Sequence, residues 1–173
     1  MSDTGPRAQQ REAARQVLDG GLDVDLSSPP SRADLALPES SSSTVLQNRD
    51  RSEFDATVRF TDGRVLDTRA YAAAVQAPGG DAAPDRLALR RRGLSLAELE
   101  RLLRDATEEL GADRAAVDSY LAQAARATEQ QADVVRSIPT GVRGEEELVI
   151  EPVVTAAEGR VSVNYLIRWG AES

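Results

Sequence analysis

Apolar and polar residues alternate in several stretches of the chain, and each stretch predicts a β-strand with one buried face. The clearest lies at residues 54–60, where Phe54, Ala56, Val58 and Phe60 alternate with polar residues. Residues 22–26 show the same alternation over a shorter length. They predict a short edge strand.

The glycine after the 54–60 strand predicts a hairpin, and the apolar pattern selects its register. A two-residue loop would pair Val58 with Asp67 and would mix buried and exposed faces. A three-residue loop with Gly63 in the left-handed conformation pairs Val58 with Leu66 and keeps the apolar side chains together. We therefore predict a bulged hairpin whose second strand covers about residues 64–75.

The first 52 residues differ in composition from the rest and predict a separate N-terminal region. Residues 6–18 read as a short helix that begins at a proline and is followed by Gly20 and Gly21. Residues 27–43 contain three prolines and four consecutive serines. Such a segment buries too little apolar surface to offset its ordering entropy, so we expect a flexible Ser/Pro-rich linker. The folded domain is predicted to cover residues 53–173.

The strongest local signal predicts two consecutive helices after residue 94. Ser95 and Glu98 form a capping box. Gly111 stands where a C-terminal cap is expected, and Asp113 can cap the next helix. The first helix would bury leucines and one alanine at helical spacing: Leu96, Leu99, Leu102, Leu103, Ala106 and Leu110. The second would bury Val117, Leu121, Ala124 and Thr128.

The remaining patterns predict a short strand at 86–90 and a strand pair at 148–155 and 160–169. Pro152 cannot donate to a sheet ladder, so the 148–155 strand should be an edge or carry a bulge. The order of elements indicates an α+β fold. We expect an antiparallel sheet of about 4–5 strands (two hairpins) with a two-helix insertion packed on one face.

Three absent residue types limit the chemistry of this chain. It has 173 residues, 40% of them apolar but only 3% aromatic, with no His, no Cys and 21 basic residues that are all Arg. Catalytic triads that use His, zinc sites built from Cys and His, and lysine Schiff bases therefore lack their residues. Abundant Arg and Ala without Lys indicate a GC-rich genome. We predict no cofactor and no metal site.

The formal net charge of −8 and a pI near 4.7 argue against binding to nucleic acid, whose phosphates attract basic surfaces. No apolar run approaches the roughly 20 residues that a membrane-spanning helix needs, so we expect no direct membrane insertion. The sequence reads as a soluble domain. An exported protein or lipoprotein whose signal or anchor had been removed would look the same, and we favour the cell envelope slightly over the cytoplasm.

The only basic cluster contains Arg86, Arg90, Arg91 and Arg92. Guanidinium groups grip oxyanions through paired hydrogen bonds, so these residues are candidate ligands for a small anion. The alternative is a charged strand end that pairs with acidic neighbours at 145–147.

Two aromatic residues near the C-terminus are further candidates for binding. Tyr165 and Trp169 share a predicted strand face with valines and an isoleucine. Aromatic anchors are enriched in interfaces, so an exposed Trp169 beside Tyr165 would indicate a partner surface. Burial in the core is the alternative.

These features favour a non-enzymatic interaction or ligand-binding domain whose partner is an unknown protein or a small anionic ligand. The rival hypothesis is an enzyme that uses carboxylates and arginines, such as a Mg²⁺-dependent phosphoryl enzyme or a hydrolase. It requires carboxylates from different elements to converge, and the acidic pairs in the sequence lie at helix spacings that do not face each other. A third hypothesis is a homo-oligomer joined through strand edges.

Overall fold

A computed structural model describes residues 5–155 and 159–170. In the described residues the protein is a mixed α+β structure with three helices and two mostly antiparallel sheets, one of three strands and one of seven. The chain forms two compact units, Met1–Leu89 and Arg90–Ser173. The boundary between these units follows residue 89, whereas the change in composition predicts a boundary after residue 52.

The first unit begins with the predicted helix, which ends before a glycine pair. Its elements are α1 (Pro6–Leu18), β1 (Leu22–Asp25), β2 (Ser43–Leu46), β3 (Phe54–Arg59), β4 (Val65–Ala70), β5 (Ala72–Gln76) and the start of β6 (Arg86–Arg92). The three-stranded sheet has the order β1-β3-β4, while β2, β5 and β6 are neighbours in the seven-stranded sheet.

The predicted bulged hairpin is confirmed. Val58 pairs with Leu66 and Phe54 pairs with Ala70, and Gly63 has a φ of 91°, which suits a residue without a side chain. The amide of Phe60 donates to the carbonyl of Arg64 at 2.9 Å. The expected single strand at 64–75 is instead divided at Tyr71. Its first half pairs with β3 and its second half, β5, pairs with β2.

The segment expected to be a flexible linker contains ordered turns and buried leucines. Leu35 is 1% exposed and Leu37 is 5% exposed. The Nε2 of Gln10 in α1 donates to the carbonyl of Ala36 at 2.7 Å and to Oγ1 of Thr44 at 3.1 Å. A few buried apolar residues and specific hydrogen bonds therefore offset an ordering cost that composition alone overestimates.

The second unit contains the end of β6 and both predicted helices. Its other elements are α2 (Leu96–Glu109), α3 (Arg114–Gln130), β7 (Asp133–Val135), β8 (Ile138–Pro139), β9 (Glu147–Thr155) and β10 (Arg160–Arg168). Both predicted N-terminal caps are confirmed. The Ser95 hydroxyl accepts from the Glu98 amide at 3.1 Å, and the Asp113 carboxylate accepts from the Ala116 amide at 2.8 Å.

The buried face of α3 differs from the predicted stripe. Val117 and Ala124 are buried as expected, but Tyr120 and Ala127 complete the face in place of Leu121 and Thr128. The phenolic hydroxyl of Tyr120 donates to the Val134 carbonyl at 3.3 Å, so its ring lies under β7. Burial raises the pKa of this hydroxyl above its ordinary value.

Pro152 lies in an interior strand rather than at an edge. β9 pairs with β10 on one side and with the short strands β7 and β8 on the other. The two short strands keep one register, since Val135 pairs with Val153 and Ile138 pairs with Ile150. Their ladder is interrupted opposite Pro152, which has no amide to donate.

The α+β class is confirmed, but the sheets are larger than expected. β2, β7 and β8 are too short or too irregular in pattern to be recognised, and Tyr71 divides one predicted strand into two. None of the helices in residues 5–155 and 159–170 has the length and hydrophobicity of a membrane-spanning segment.

Candidate functional site

A concave surface in the first unit contains one of the predicted site residues. The cavity, about 350 Å³ in volume, lies where the start of β2, the end of β5 and the start of β6 come together. It is lined by Ser42, Ser43, Gln76, Ala77, Pro78, Asp85 and Arg86. We call it the Arg86 cavity. Its size is at the lower end of the range for small-molecule sites.

Backbone hydrogen bonds fix the walls of the Arg86 cavity. Ser43 pairs with Gln76 in the β2–β5 ladder, and the Ala77 amide donates to the Ser42 carbonyl at 2.9 Å. The Asp85 amide donates to the Gln76 carbonyl at 3.0 Å, which closes the loop between β5 and β6. The backbone segments that carry the hydroxyl, amide and charged side chains of the cavity are therefore joined by hydrogen bonds.

Arg32 ties the two backbone segments next to the cavity together. Its Nη2 donates to the carbonyls of Pro38 and Ser41, each at 2.5 Å. Its Nη1 donates to the carbonyls of Ala82 at 2.8 Å and Gly79 at 3.4 Å. Because Ser41 precedes Ser42 and Gly79 follows Pro78, one guanidinium group positions two walls of the cavity.

The close approach of these segments also explains a small residue in the loop. A Cβ added at Gly80 would lie 3.3 Å from backbone atoms of Ser40, closer than ordinary van der Waals contact. Gly80 therefore allows the β5–β6 loop to lie directly against the 38–41 segment.

The cavity contains one cation and one anion, and they do not pair with each other. Arg86 is exposed and Asp85 is half-buried. Among the described residues, neither side chain forms a salt bridge or a hydrogen bond. Both charged groups are therefore available to a ligand.

The other three predicted arginines do not line this cavity. Arg90, Arg91 and Arg92 belong to the second unit. Arg90 and Arg92 are exposed, whereas Arg91 is half-buried, and its Nε is buried without a hydrogen-bond partner in the described residues. Of the acidic neighbours considered at 145–147, Glu147 pairs with Arg168 at 3.6 Å.

The two candidate aromatics are in the core. Tyr165 is 3% exposed and Trp169 is 4% exposed, on the β10 face that also buries Val161, Val163 and Ile167. An interface at Trp169 would require an exposed indole ring. The ring is buried, because side chains alternate between the two faces of a strand and this face points into the core. The Trp169 Nε1 is buried without a partner in the part of the chain that the structure describes.

Sequence reasoning missed most of the residues around Arg86. Ser42 and Ser43 belong to the serine run that composition assigned to a linker. Gln76 lies at the end of a strand whose partner was not recognised. Only the adjacency of Asp85 to Arg86 is visible in the sequence, and adjacency does not reveal a cavity.

The enzyme hypothesis requires carboxylates from different elements to converge. In residues 5–155 and 159–170, no group of three or more His, Cys, Asp or Glu residues could hold a metal ion. Asp85 is the one acidic residue in the lining of the Arg86 cavity.

In comparisons with protein-family models, curated proteins and solved structures, nothing matches this chain.

Proposed function

We propose that the protein is a non-enzymatic binding domain that holds a small anionic ligand in the Arg86 cavity. The observation that carries this proposal is an arginine that has no salt-bridge or hydrogen-bond partner among the described residues and lies at the side of a cavity lined by two serines and a glutamine. A guanidinium group offers up to five donors in a planar fork, which suits a carboxylate or phosphate group.

The other polar groups support the same kind of ligand. The hydroxyls of Ser42 and Ser43 and the amide of Gln76 can each donate a hydrogen bond to an oxyanion. The protein as a whole has a net charge of −8, which repels anions at long range. Binding of an anion therefore depends on contacts inside the cavity rather than on the overall field.

The test compares thermal unfolding with and without inorganic phosphate, acetate and succinate. A ligand at about 100 times its Kd stabilises the folded state by about 2.7 kcal/mol. For a chain of this size that corresponds to a rise in Tm of about 5–10 °C. We expect one of these anions to produce such a shift in the wild-type protein.

Two variants separate the cavity from general electrostatics. Arg86→Gln removes the guanidinium group and should abolish the shift. Arg90→Gln removes the same charge from an exposed position of the same strand and should leave the shift intact. Equal shifts in all three proteins would contradict the proposal, as would a wild-type protein that binds neither these anions nor any other carboxylate at millimolar concentration.

A further inference from the structure

The charge pair in the Arg86 cavity points to a narrower ligand class than a simple anion. Asp85 lines the same cavity as Arg86, and a negative charge at this position repels an anionic ligand. A ligand that carried only a carboxylate or phosphate group would meet attraction from one side chain and repulsion from the other. A ligand that also carried a cationic group would gain from both.

The structure leaves both charges open to such a ligand. Although they are neighbours in the chain, Asp85 and Arg86 form no salt bridge with each other or with another described residue. Asp85 precedes β6 and its amide is fixed by the Gln76 carbonyl, whereas Arg86 is the first residue of the strand. Both residues therefore line one cavity with no ion pair between their side chains.

From this juxtaposition we propose that the ligand of the Arg86 cavity is a small zwitterion of the free amino acid type. Its carboxylate binds the guanidinium of Arg86, and its ammonium group binds the carboxylate of Asp85. Ser42, Ser43 and Gln76 contact its polar substituents. The inference rests on the proposed function and specifies the chemical class of its ligand.

The size of the cavity agrees with this class. A volume of about 350 Å³ is small for a ligand-binding site and accommodates a single amino acid with a short polar side chain. The lining is mostly polar, with Ala77 and Pro78 as its apolar members. We therefore expect serine or glutamine to bind better than leucine.

Isothermal titration calorimetry on the full chain tests the proposal without any substitution. The probes are L-serine, L-glutamine and L-leucine, each with its N-acetyl derivative, which lacks the cation, and its amide derivative, which lacks the anion. Loss of one charge-assisted hydrogen bond weakens binding by about tenfold or more. We expect a free amino acid to bind at least about tenfold more tightly than either of its derivatives.

Two variants assign each charge to its residue. Asp85→Asn should remove the preference for the free amino acid over its N-acetyl derivative and keep the preference over the amide. Arg86→Gln should have the opposite effect. Arg90→Gln serves as the matched control and should behave as the wild type.

The possible outcomes distinguish this inference from the function on which it rests. If an N-acetyl derivative or inorganic phosphate binds as tightly as the free amino acid, the ligand is an anion; the inference is then overturned and the proposed function stands. If neither phosphate nor any of the nine compounds binds at millimolar concentration, both are overturned.

Discussion

Replacement of Arg32 by alanine should loosen the Arg86 cavity and destabilise the first unit. The Arg32 guanidinium donates to the carbonyls of Pro38, Ser41, Gly79 and Ala82. Alanine removes all four donors at once and leaves the 38–41 segment and the β5–β6 loop without their common anchor.

The expected loss of stability is smaller than the number of bonds suggests. A hydrogen bond to a charged group contributes about 1.5–3 kcal/mol, so four independent bonds would account for roughly the entire stability of a typical domain. The four residues that supply the carbonyls are only half-buried, so water can replace part of what is lost. We therefore expect Arg32→Ala to lower the free energy of unfolding by about 2–4 kcal/mol.

Chemical denaturation and hydrogen exchange together measure this effect. The unfolding free energy comes from urea titration followed by circular dichroism. Exchange of the Ala77 amide, which donates to the Ser42 carbonyl, reports the cavity wall directly. Arg32→Lys keeps the charge but concentrates its donors on one nitrogen, so it should restore less than half of the loss.

Arg49→Ala provides the control, because Arg49 is exposed and forms no hydrogen bond or salt bridge in the part of the chain that the structure describes. Its effect should stay within about 0.5 kcal/mol. If Arg32→Ala unfolds at the same urea concentration as Arg49→Ala and the Ala77 amide exchanges at the wild-type rate, the assigned role of Arg32 is refuted.

Three further predictions concern the second unit and the assembly. Ser95→Ala should lower stability by about 1 kcal/mol, because it removes the cap on the Glu98 amide; Ser95→Asp, which can still cap, should not lower the Tm. Stability should decline as the pH rises above the ordinary tyrosine pKa of 10.0, because the folded state holds the Tyr120 proton to higher pH than the unfolded state does. The alkaline slope should be shallower in Tyr120→Phe, and an unchanged slope would contradict this reasoning. If strand edges join copies of the chain, light scattering should give a mass that is a multiple of 18.6 kDa. Val135 is 59% exposed at the β7 edge, and Val135→Lys should reduce the measured mass to 18.6 kDa. A wild-type mass of 18.6 kDa would rule out this assembly.

Elements defined by nearby residues could be predicted from the sequence. The β3–β4 register follows from Gly63 and the apolar alternation on each side of it. The start of α2 follows from Ser95 and Glu98, which are three residues apart. In each case the residues that determine the structure are close in sequence, so their pattern contains the necessary information.

The cavity could not be predicted, because distant backbone segments form it. Ser42 meets Ala77 through main-chain atoms, and Arg32 binds carbonyl oxygens, which every residue possesses. Backbone acceptors of this kind cannot be recognised from the identity of the side chains. Arg86 was recognised only because arginine is itself a candidate for anion binding, and the sequence did not distinguish it from Arg90.

Pro152 has a consequence for the uniqueness of the second unit. β9 has branched apolar residues on both sides of Pro152, and such a strand contains little information about its own alignment. The break between β7 and β8 faces the one residue of β9 that lacks an amide. A slip of two residues would bring Pro152 opposite a bonded position and deprive a carbonyl of its donor. The proline thus favours one alignment of β9 with the short strands β7 and β8.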